Sequence, residues 1–237
     1  MRRAGSVVRQ VLNAVRDTVR PGATTLDLEA AAEQKLAELG AKAAFKGYHG
    51  YPCVLCTSVN HEVVHGIPSK SRVLREGDIV SIDCGAIVDG FYGDAAITVP
   101  VGSRIDGKTQ KLLEATESSL AAAIQAVRPG ATLGDIGAAV QEVVEAQGFS
   151  VVRDFVGHGI GTRMHEDPQV PNYGERGRGM KLREGMVLAI EPMVNAGKAA
   201  VEVLEDGWTA VTCDGSMSAH FEHTVAVTAD GAAILTI

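Results

Sequence analysis

The sequence lacks any apolar run approaching the ~20 residues that a membrane-spanning helix needs. Its start, M-R-R-A-G-S-V-V-R-Q-V-L-N-A-V-R-D-T-V, is basic but has no apolar h-region behind it, so it does not read as a secretory signal. Cysteine is scarce, with four in 237 residues, which fits reduced thiols in a cytoplasmic protein and excludes a disulfide framework. Cys53 and Cys56 form a single C-x-x-C. No second pair completes a zinc site, and C-V-L-C-T-S-V reads as strand where a redox pair needs a helix start. Basic residues are outnumbered, 22 against 29 acidic, and the net charge of −7 argues against nucleic acid as the main ligand. No low-complexity or Ser/Gly-rich linker divides the chain. The expectation is one domain over 1–237, made of two similar halves, about 1–103 and 104–237.

The halves show themselves as an internal repeat. V-R-P-G-A-T-T-L-D-L-E-A-A-A-E begins at Val19, and V-R-P-G-A-T-L-G-D-I-G-A-A-V-Q begins at Val127, 108 positions later. L-R-E-G-D-I-V-S-I-D from Leu74 matches L-R-E-G-M-V-L-A-I-E from Leu182 at the same offset of 108. A single long repeat is not a solenoid, which needs at least ~3 short units; it predicts two halves about a pseudo-twofold axis. Each half opens with a helix, about Arg2 to Val19 and about Lys108 to Val127, which Pro-Gly stops. A threonine then caps a second helix, Leu26–Leu39 or Leu133–Gln147, which Gly40 or Gly148 closes. Strand sequence follows. Ile79–Ile87 and Phe91–Val99 flank an Asp-Gly hairpin turn; Met186–Val194 and Phe221–Val227 are their second-half counterparts. The fold class is α+β: two layers, duplicated halves and a largely antiparallel sheet, with any site in the groove between halves.

D-I-V-S-I-D-C-G-A-I-V and M-V-L-A-I-E-P-M-V are near-continuous apolar strands, the pattern of strands covered on both faces. A carboxylate inside one is costly to keep ionised without partners. The repeat sets Asp83 and Glu191 at equivalent points, facing each other across the pseudo-axis. Asp94 shares a face with Asp83 under either hairpin register, since side chains alternate with period two. Like charges so close destabilise a hairpin unless a cation lies between them. Glu222, in A-H-F-E-H-T-V-A-V, is a fourth acid on an apolar strand, and His158 is a nitrogen donor in the Gly-rich bend V-G-H-G-I-G. Any one of these acids alone is better read as a carboxylate satisfied by arginine, amides or solvent. Four together with an imidazole are better read as mostly hard ligands for divalent ions such as Mn, Fe or Co, and two ions can share bridging carboxylates.

The same residues carry a resemblance. G-Y-H-G-Y-P (Gly47–Pro52), H-G-I-P (His65–Pro68), D-I-V-S-I-D with D-G-F-Y-G-D (Asp78–Asp94), G-H-G-I-G with M-H-E-D-P (Gly157–Pro168), A-I-E-P (Ala189–Pro192) and F-E-H-T (Phe221–Thr224) occur in order along nearly the whole chain. Together they resemble the type I methionine aminopeptidases, metallopeptidases of the pita-bread fold. The resemblance implies a hydrolase that removes the N-terminal methionine from newly made polypeptides by attack of a hydroxide held between two metal ions on the first peptide bond, preferring a small second residue. It implies metal ligation by Asp83, Asp94, His158, Glu191 and Glu222, with Asp94 and Glu222 bridging. It also implies that Glu191 shuttles a proton, that His165 contacts the scissile carbonyl and that His65 contacts the peptide beyond it. The methionine side chain is expected among Phe45, Tyr48, His49, Tyr51, Cys56, Met164 and Trp208. Relatives often carry Cys at the Phe45 position and Phe at the Met164 position, so the pocket's width stays open. The plainer alternative for Trp208, the only tryptophan, is a packing residue of the Asp206-Gly207 turn. The expected protein is a cytoplasmic monomer, with ribosome association open. Two other readings compete: an X-Pro peptidase of the same fold, and a pita-bread binding protein without activity. The inactive members lose metal ligands, and all five are present here.

N-H-E-V-V-H-G-I-P contains H-E-x-x-H, His61 to His65, a string that marks zinc peptidases when it is helical. Val59, Val63 and Val64 favour strand, and Gly66 and Pro68 follow at once. In extended chain the two histidines stand ~13 Å apart, too far for one ion. Only His65 is expected to be functional, and Glu62 is expected to face solvent.

Overall fold

A computed structural model describes residues 1–237. Four helices frame it: α1 (Arg2–Arg16), α2 (Thr25–Glu38), α3 (Gly107–Ala126) and α4 (Leu133–Ala146). No helix is long and apolar enough to cross a membrane. Helix α1 stops short of Val19 because the amides of Thr18 and Val19 turn back onto Val15 and Arg16 at 2.9 and 3.0 Å, and Pro21 disfavours helix at the residue before it. Helices α2 and α4 begin with the same capping box. Thr24 accepts from the Asp27 amide while Asp27 accepts from the Thr24 amide, and Thr132 and Asp135 repeat the exchange. Gly40 and Gly148 follow the two helices with φ of 63° and 77°, the left-handed conformation that suits glycine.

The repeat extends to individual hydrogen bonds. Gly22 N–H donates to Leu74 O and Leu74 N–H to Ala23 O, both at 2.8 Å; Gly130 and Leu182 make the matching bond at 3.0 Å, and Leu182 and Ala131 at 2.7 Å. Two main apolar cores follow the two halves, with Ile79 of the first half reaching into the second core. Val8, Leu28 and Ile82 belong to the one under α1 and α2; Leu112, Ile136 and Leu188 belong to the one under α3 and α4. All strand pairings are antiparallel.

The strands Ile79–Val88 and Phe91–Pro100 make a long hairpin. Its turn residues Asp89 and Gly90 have φ of 52° and 80°, the positive pair that a two-residue turn needs. This turn sets Gly85 opposite Asp94 and Asp83 opposite Ala96, so the two acids are diagonal neighbours on one face.

The second half departs from expectation. Met186–Val194 is not one strand but two, Val187–Ile190 and Met193–Asn195, with Glu191-Pro192 between them. Phe221–Val227 likewise gives way to Ser218–His220 and His223–Thr228, with Phe221-Glu222 between. Pro192 has no N–H to give a ladder, and at each break the chain passes from one sheet to another. Both acids therefore sit at bends, whereas Asp83 and Asp94 lie within unbroken strands.

The halves join where Phe91–Pro100 runs beside residues 220–224. In the middle, Glu222 N–H donates to Ala96 O at 2.9 Å, and Ala96 N–H returns to Glu222 O at 3.4 Å. On each side a threonine hydroxyl replaces the direct pair. Thr224 Oγ1 accepts from Asp94 N–H at 3.0 Å and donates to Asp94 O at 2.7 Å. Thr98 Oγ1 accepts from His220 N–H at 2.8 Å and donates to His220 O at 2.7 Å.

Candidate metal centre and active site

Between the halves lies a cavity of about 410 Å³ with fourteen lining residues. They are the five expected ligands Asp83, Asp94, His158, Glu191 and Glu222, together with His65, His165, Phe45, Tyr48, His49, Tyr51, Cys56, Met164 and Trp208. The structure brings every side chain expected at the site to this one space, and no lysine or arginine lines it.

Asp94, His158 and Glu222 are buried, and one ligand atom from each lies within 4.8 Å of the others. Asp83 and Glu191 stand outside that tight trio on the same cavity wall. His158 Nδ1 is 2.9 Å from Gly159 O, so Nδ1 carries the proton and the Nε2 lone pair is free. Nε2 is 3.6 Å from Glu191 Oε1 and 3.8 Å from Asp94 Oδ2, too long for direct hydrogen bonds. Nitrogen and oxygen ligands each sit ~2.0–2.2 Å from a transition ion, so pairs at this spacing can share one.

The electrostatics agree. Burial pushes the pKa of Asp83, Asp94, Glu191 and Glu222 upward, and the neighbouring acids push Asp94, Glu191 and Glu222 further. Burial lowers His158 to about 4 and keeps it neutral. Asp83 Oδ1, Asp94 Oδ1 and Glu222 Oε1 are buried with no hydrogen-bond partner. Unpaired buried oxygens are costly, and a cation bound among them would give all three a partner. By donor type the set fits divalent metal.

His165 stands at the cavity mouth, its ring 4.2 Å from that of His158 between centroids, with Nδ1 2.7 Å from Tyr48 Oη. His65, at φ 61°, packs edge-on against Phe155 and Trp208. Burial foremost, then the charge of His165, lowers His65 to about 4, so the fold brings together two histidines that sequence spacing left unrelated. The chamber beside them is apolar: Phe45, Tyr51, Cys56 and Met164 form a buried cluster with Ala44, flanked by Tyr48 and Trp208. Tyr51 Oη is fixed by donation to Leu55 O at 2.8 Å and also lies 3.1 Å from Gly66 O. Trp208 meets Tyr51 edge-on at 5.0 Å, and its amide donates to Asp206 Oδ1 in the turn, so it serves both readings.

Glu62 corrects the expectation of a solvent-facing residue. It accepts from Val59 N–H at 2.6 Å and pairs with Arg72 at 3.1 Å, tying the loop through Asn60 to its neighbour. The H-E-x-x-H string is strand from Glu62 to Val64, as its valines dictate. Two supporting side chains escaped the sequence reading. Asn172, fully buried, donates from Nδ2 to Glu191 O at 2.9 Å. His220, also buried, sets Nε2 3.9 Å from Glu191 Oε2 with no other partner. His220 lies two residues before Glu222, a spacing that could have drawn attention to it; nothing in the sequence marks Asn172.

Residues 1–229 match the family described as Metallopeptidase family M24. The methionine aminopeptidase of Clostridium acetobutylicum is 52% identical over 237 residues, covering 100% of this chain and 94% of that protein. Methionine aminopeptidase 1 of Bacillus subtilis is 51% identical over 236 residues, again covering 100% and 94%. Among solved structures, a methionine aminopeptidase from Thermotoga maritima superposes with a TM-score of 0.98 at 52% identity, over 100% of this chain and 94% of that one. A prolidase from Pyrococcus furiosus superposes at 0.79 with 25% identity, over 100% of this chain and 62% of that one.

Proposed function

The chain belongs to metallopeptidase family M24, and from that premise we propose that it removes the N-terminal methionine from newly made polypeptides that carry a small second residue. The observation that carries the proposal is the cavity itself, where four carboxylates, Asp94 and Glu222 buried and Asp83 and Glu191 half-buried, and one neutral imidazole with no cationic side chain adjoin an apolar chamber lined by aromatic rings and sulfur. Aromatic and sulfur side chains suit a thioether guest. The X-Pro reading is not favoured, since relatives near 50% identity are named methionine aminopeptidases and the prolidase stands at 25%.

In this proposal Asp83, Asp94, His158, Glu191 and Glu222 would hold two divalent ions of the Mn, Fe or Co kind, Asp94 and Glu222 being the candidates to serve both. When bound, such ions supply Lewis acidity and make water nucleophilic near neutral pH. Glu191 takes and returns the proton of the attacking water. His165 offers Nε2 to the scissile carbonyl oxygen as it gains negative charge, because Tyr48 occupies Nδ1. His65 orients the peptide beyond the scissile bond. The apolar chamber holds the methionine side chain and so orients the first peptide bond. The proposal includes work in the cytoplasm on emerging chains; contact with the ribosome is a separate question.

The test is turnover of Met-Ala-Ser against Ala-Pro and Met-Lys peptides, with Mn or Co restored after chelation. Met is expected from the first alone, and its absence there refutes the reading. Asp94→Asn is expected to lose both activity and, by calorimetry, Mn binding; retained binding removes the bridging role.

A further inference from the structure

The strand Ile79–Val88 presents alternate residues to the cavity face, so Asp83, Gly85 and Ile87 share one side. At Gly85 that side carries no atom. A Cβ built there would stand 2.7 Å from Phe45 Cε1, 3.2 Å from Phe45 Cδ1 and 2.8 Å from Ala44 Cβ. Real Cβ atoms do not approach so closely. The backbone does not demand glycine here, because Gly85 is not among the residues with positive φ. Space alone requires it: the Phe45 ring, with Ala44 Cβ beside it, lies where the side chain of residue 85 would be.

The ring has little freedom to retreat elsewhere. Ala44 N–H donates to Gly85 O at 3.0 Å, and Lys42 and Ala43 pair with Ile87 and Ala86, so the backbone entering Phe45 is stitched to the same strand. Phe45 is buried beside Tyr51, Cys56 and Met164, and it lines the cavity. Restoring ordinary contact with a Cβ, about 3.4 Å, moves the ring by about 0.7 Å. The open direction is into the chamber.

We propose that Gly85 and Phe45 act as a specificity-determining pair: the missing side chain at Gly85 seats the Phe45 ring against the strand and thereby sets the width of the side-chain chamber. The inference rests on the reading that this chamber receives methionine, and it explains how a large ring at position 45 leaves room for the guest.

The experiment uses the Mn-loaded enzyme and its variants Gly85→Ala, Phe45→Leu, the double variant and Phe45→Ala. With Met-Ala-Ser, Gly85→Ala is expected to lose about tenfold in kcat/KM, chiefly through KM, as overpacking a filled apolar site removes binding common to ground and transition states. Mn affinity by calorimetry is expected to hold within about twofold, since Asp83 keeps its place. Adding Phe45→Leu to Gly85→Ala is expected to recover the ring's share of the KM loss, at least about threefold, while the 2.8 Å approach to Ala44 Cβ keeps the recovery incomplete. Phe45→Ala, which introduces no clash and needs no Gly85 variant to fold, is expected to raise turnover of an ethionyl peptide relative to the methionyl one several-fold. An unchanged KM in Gly85→Ala, a loss that Phe45→Leu does not relieve, a parallel fall in Mn affinity, or an unchanged ethionyl-to-methionyl ratio in Phe45→Ala each overturns the pairing. If the unaltered enzyme releases no Met, the peptidase reading fails and takes this one with it. Release of Met with any of the four contrary results removes this inference alone.

Discussion

Replacing Thr224 by valine keeps the shape of a buried side chain and deletes one oxygen. That oxygen serves both backbone groups of Asp94, accepting from its N–H at 3.0 Å and donating to its C=O at 2.7 Å. Thr224 and Asp94 are 1% and 3% exposed, so no water replaces the hydroxyl without local opening. Each orphaned buried group costs about 1–3 kcal/mol, so two cost about 2–6 kcal/mol, and a loss of about 3 kcal/mol, in the lower half of that range, is expected. For a chain of this length 1 kcal/mol corresponds to roughly 2–4 °C, so Tm is expected to fall by roughly 6–12 °C in a thermal scan. A second readout follows from what Asp94 carries. Its carboxylate is part of the compact trio with His158 and Glu222, and a backbone freed to shift misplaces it, with an expected loss of about tenfold in Mn affinity by calorimetry. Thr224→Ser returns the hydroxyl and is expected to recover both. Thr98→Val removes the mirror bonds to His220, so it is expected to cost similar stability with a smaller loss of Mn affinity. A Thr224→Val protein with Tm within about 2 °C of the parent, below the shift that even 1 kcal/mol produces, and unchanged Mn affinity would refute the argument that this seam holds the ligands in place.

Two further outcomes test other parts of the site. Tyr48→Phe removes the partner 2.7 Å from His165 Nδ1; with the tautomer no longer held, kcat on Met-Ala-Ser is expected to drop about tenfold with KM little changed, and a pure KM effect would confine Tyr48 to the chamber wall. His65 is neutral in the fold, with a pKa lowered from 6.5 to about 4 chiefly by burial. Between those values the unfolded chain binds the extra proton, so the stabilisation is complete above about 6.5 and drains as pH falls toward 4. Over that window it amounts to about 3 kcal/mol, of which roughly 2 kcal/mol is gone by pH 5. Urea unfolding of His65→Asn at pH 7 and pH 5 should therefore show a pH-dependent loss smaller by that roughly 2 kcal/mol than the parent's; equal losses would reject the assignment.

The parts of this architecture that were legible in the sequence are those where one residue type has one physical reason to be present. A threonine reads as the cap of each second helix because its hydroxyl can accept from a first-turn amide; Thr24 and Thr132 do so, and both close capping boxes with Asp27 and Asp135. Asp89-Gly90 reads as a hairpin turn because both residues tolerate positive φ. The acids read as a cluster because a lone carboxylate on an apolar strand is expensive, so four of them imply a shared partner. The offset of 108 then located Glu191 from Asp83 without reference to any contact.

What stayed hidden depends on partners distant in the chain. The breaks at Glu191 and Glu222 were missed because their flanks are as apolar as those of Asp83; Pro192 marks the first, and only the change of sheet marks the second. Glu62 looked exposed because its partners, Arg72 and the Val59 amide, meet it through a loop whose path the sequence does not state. Thr98 and Thr224 look like ordinary strand threonines, yet their hydroxyls complete the join between halves on either side of Glu222. Gly85 is the extreme case: in D-C-G-A-I-V it passes for a weak point in a strand, and its reason is an aromatic ring forty residues earlier. The metal-binding acids could be found one strand at a time because charge is costly wherever it is buried. The shape of the chamber could not, because a void acquires meaning only when the atoms that fill it are known.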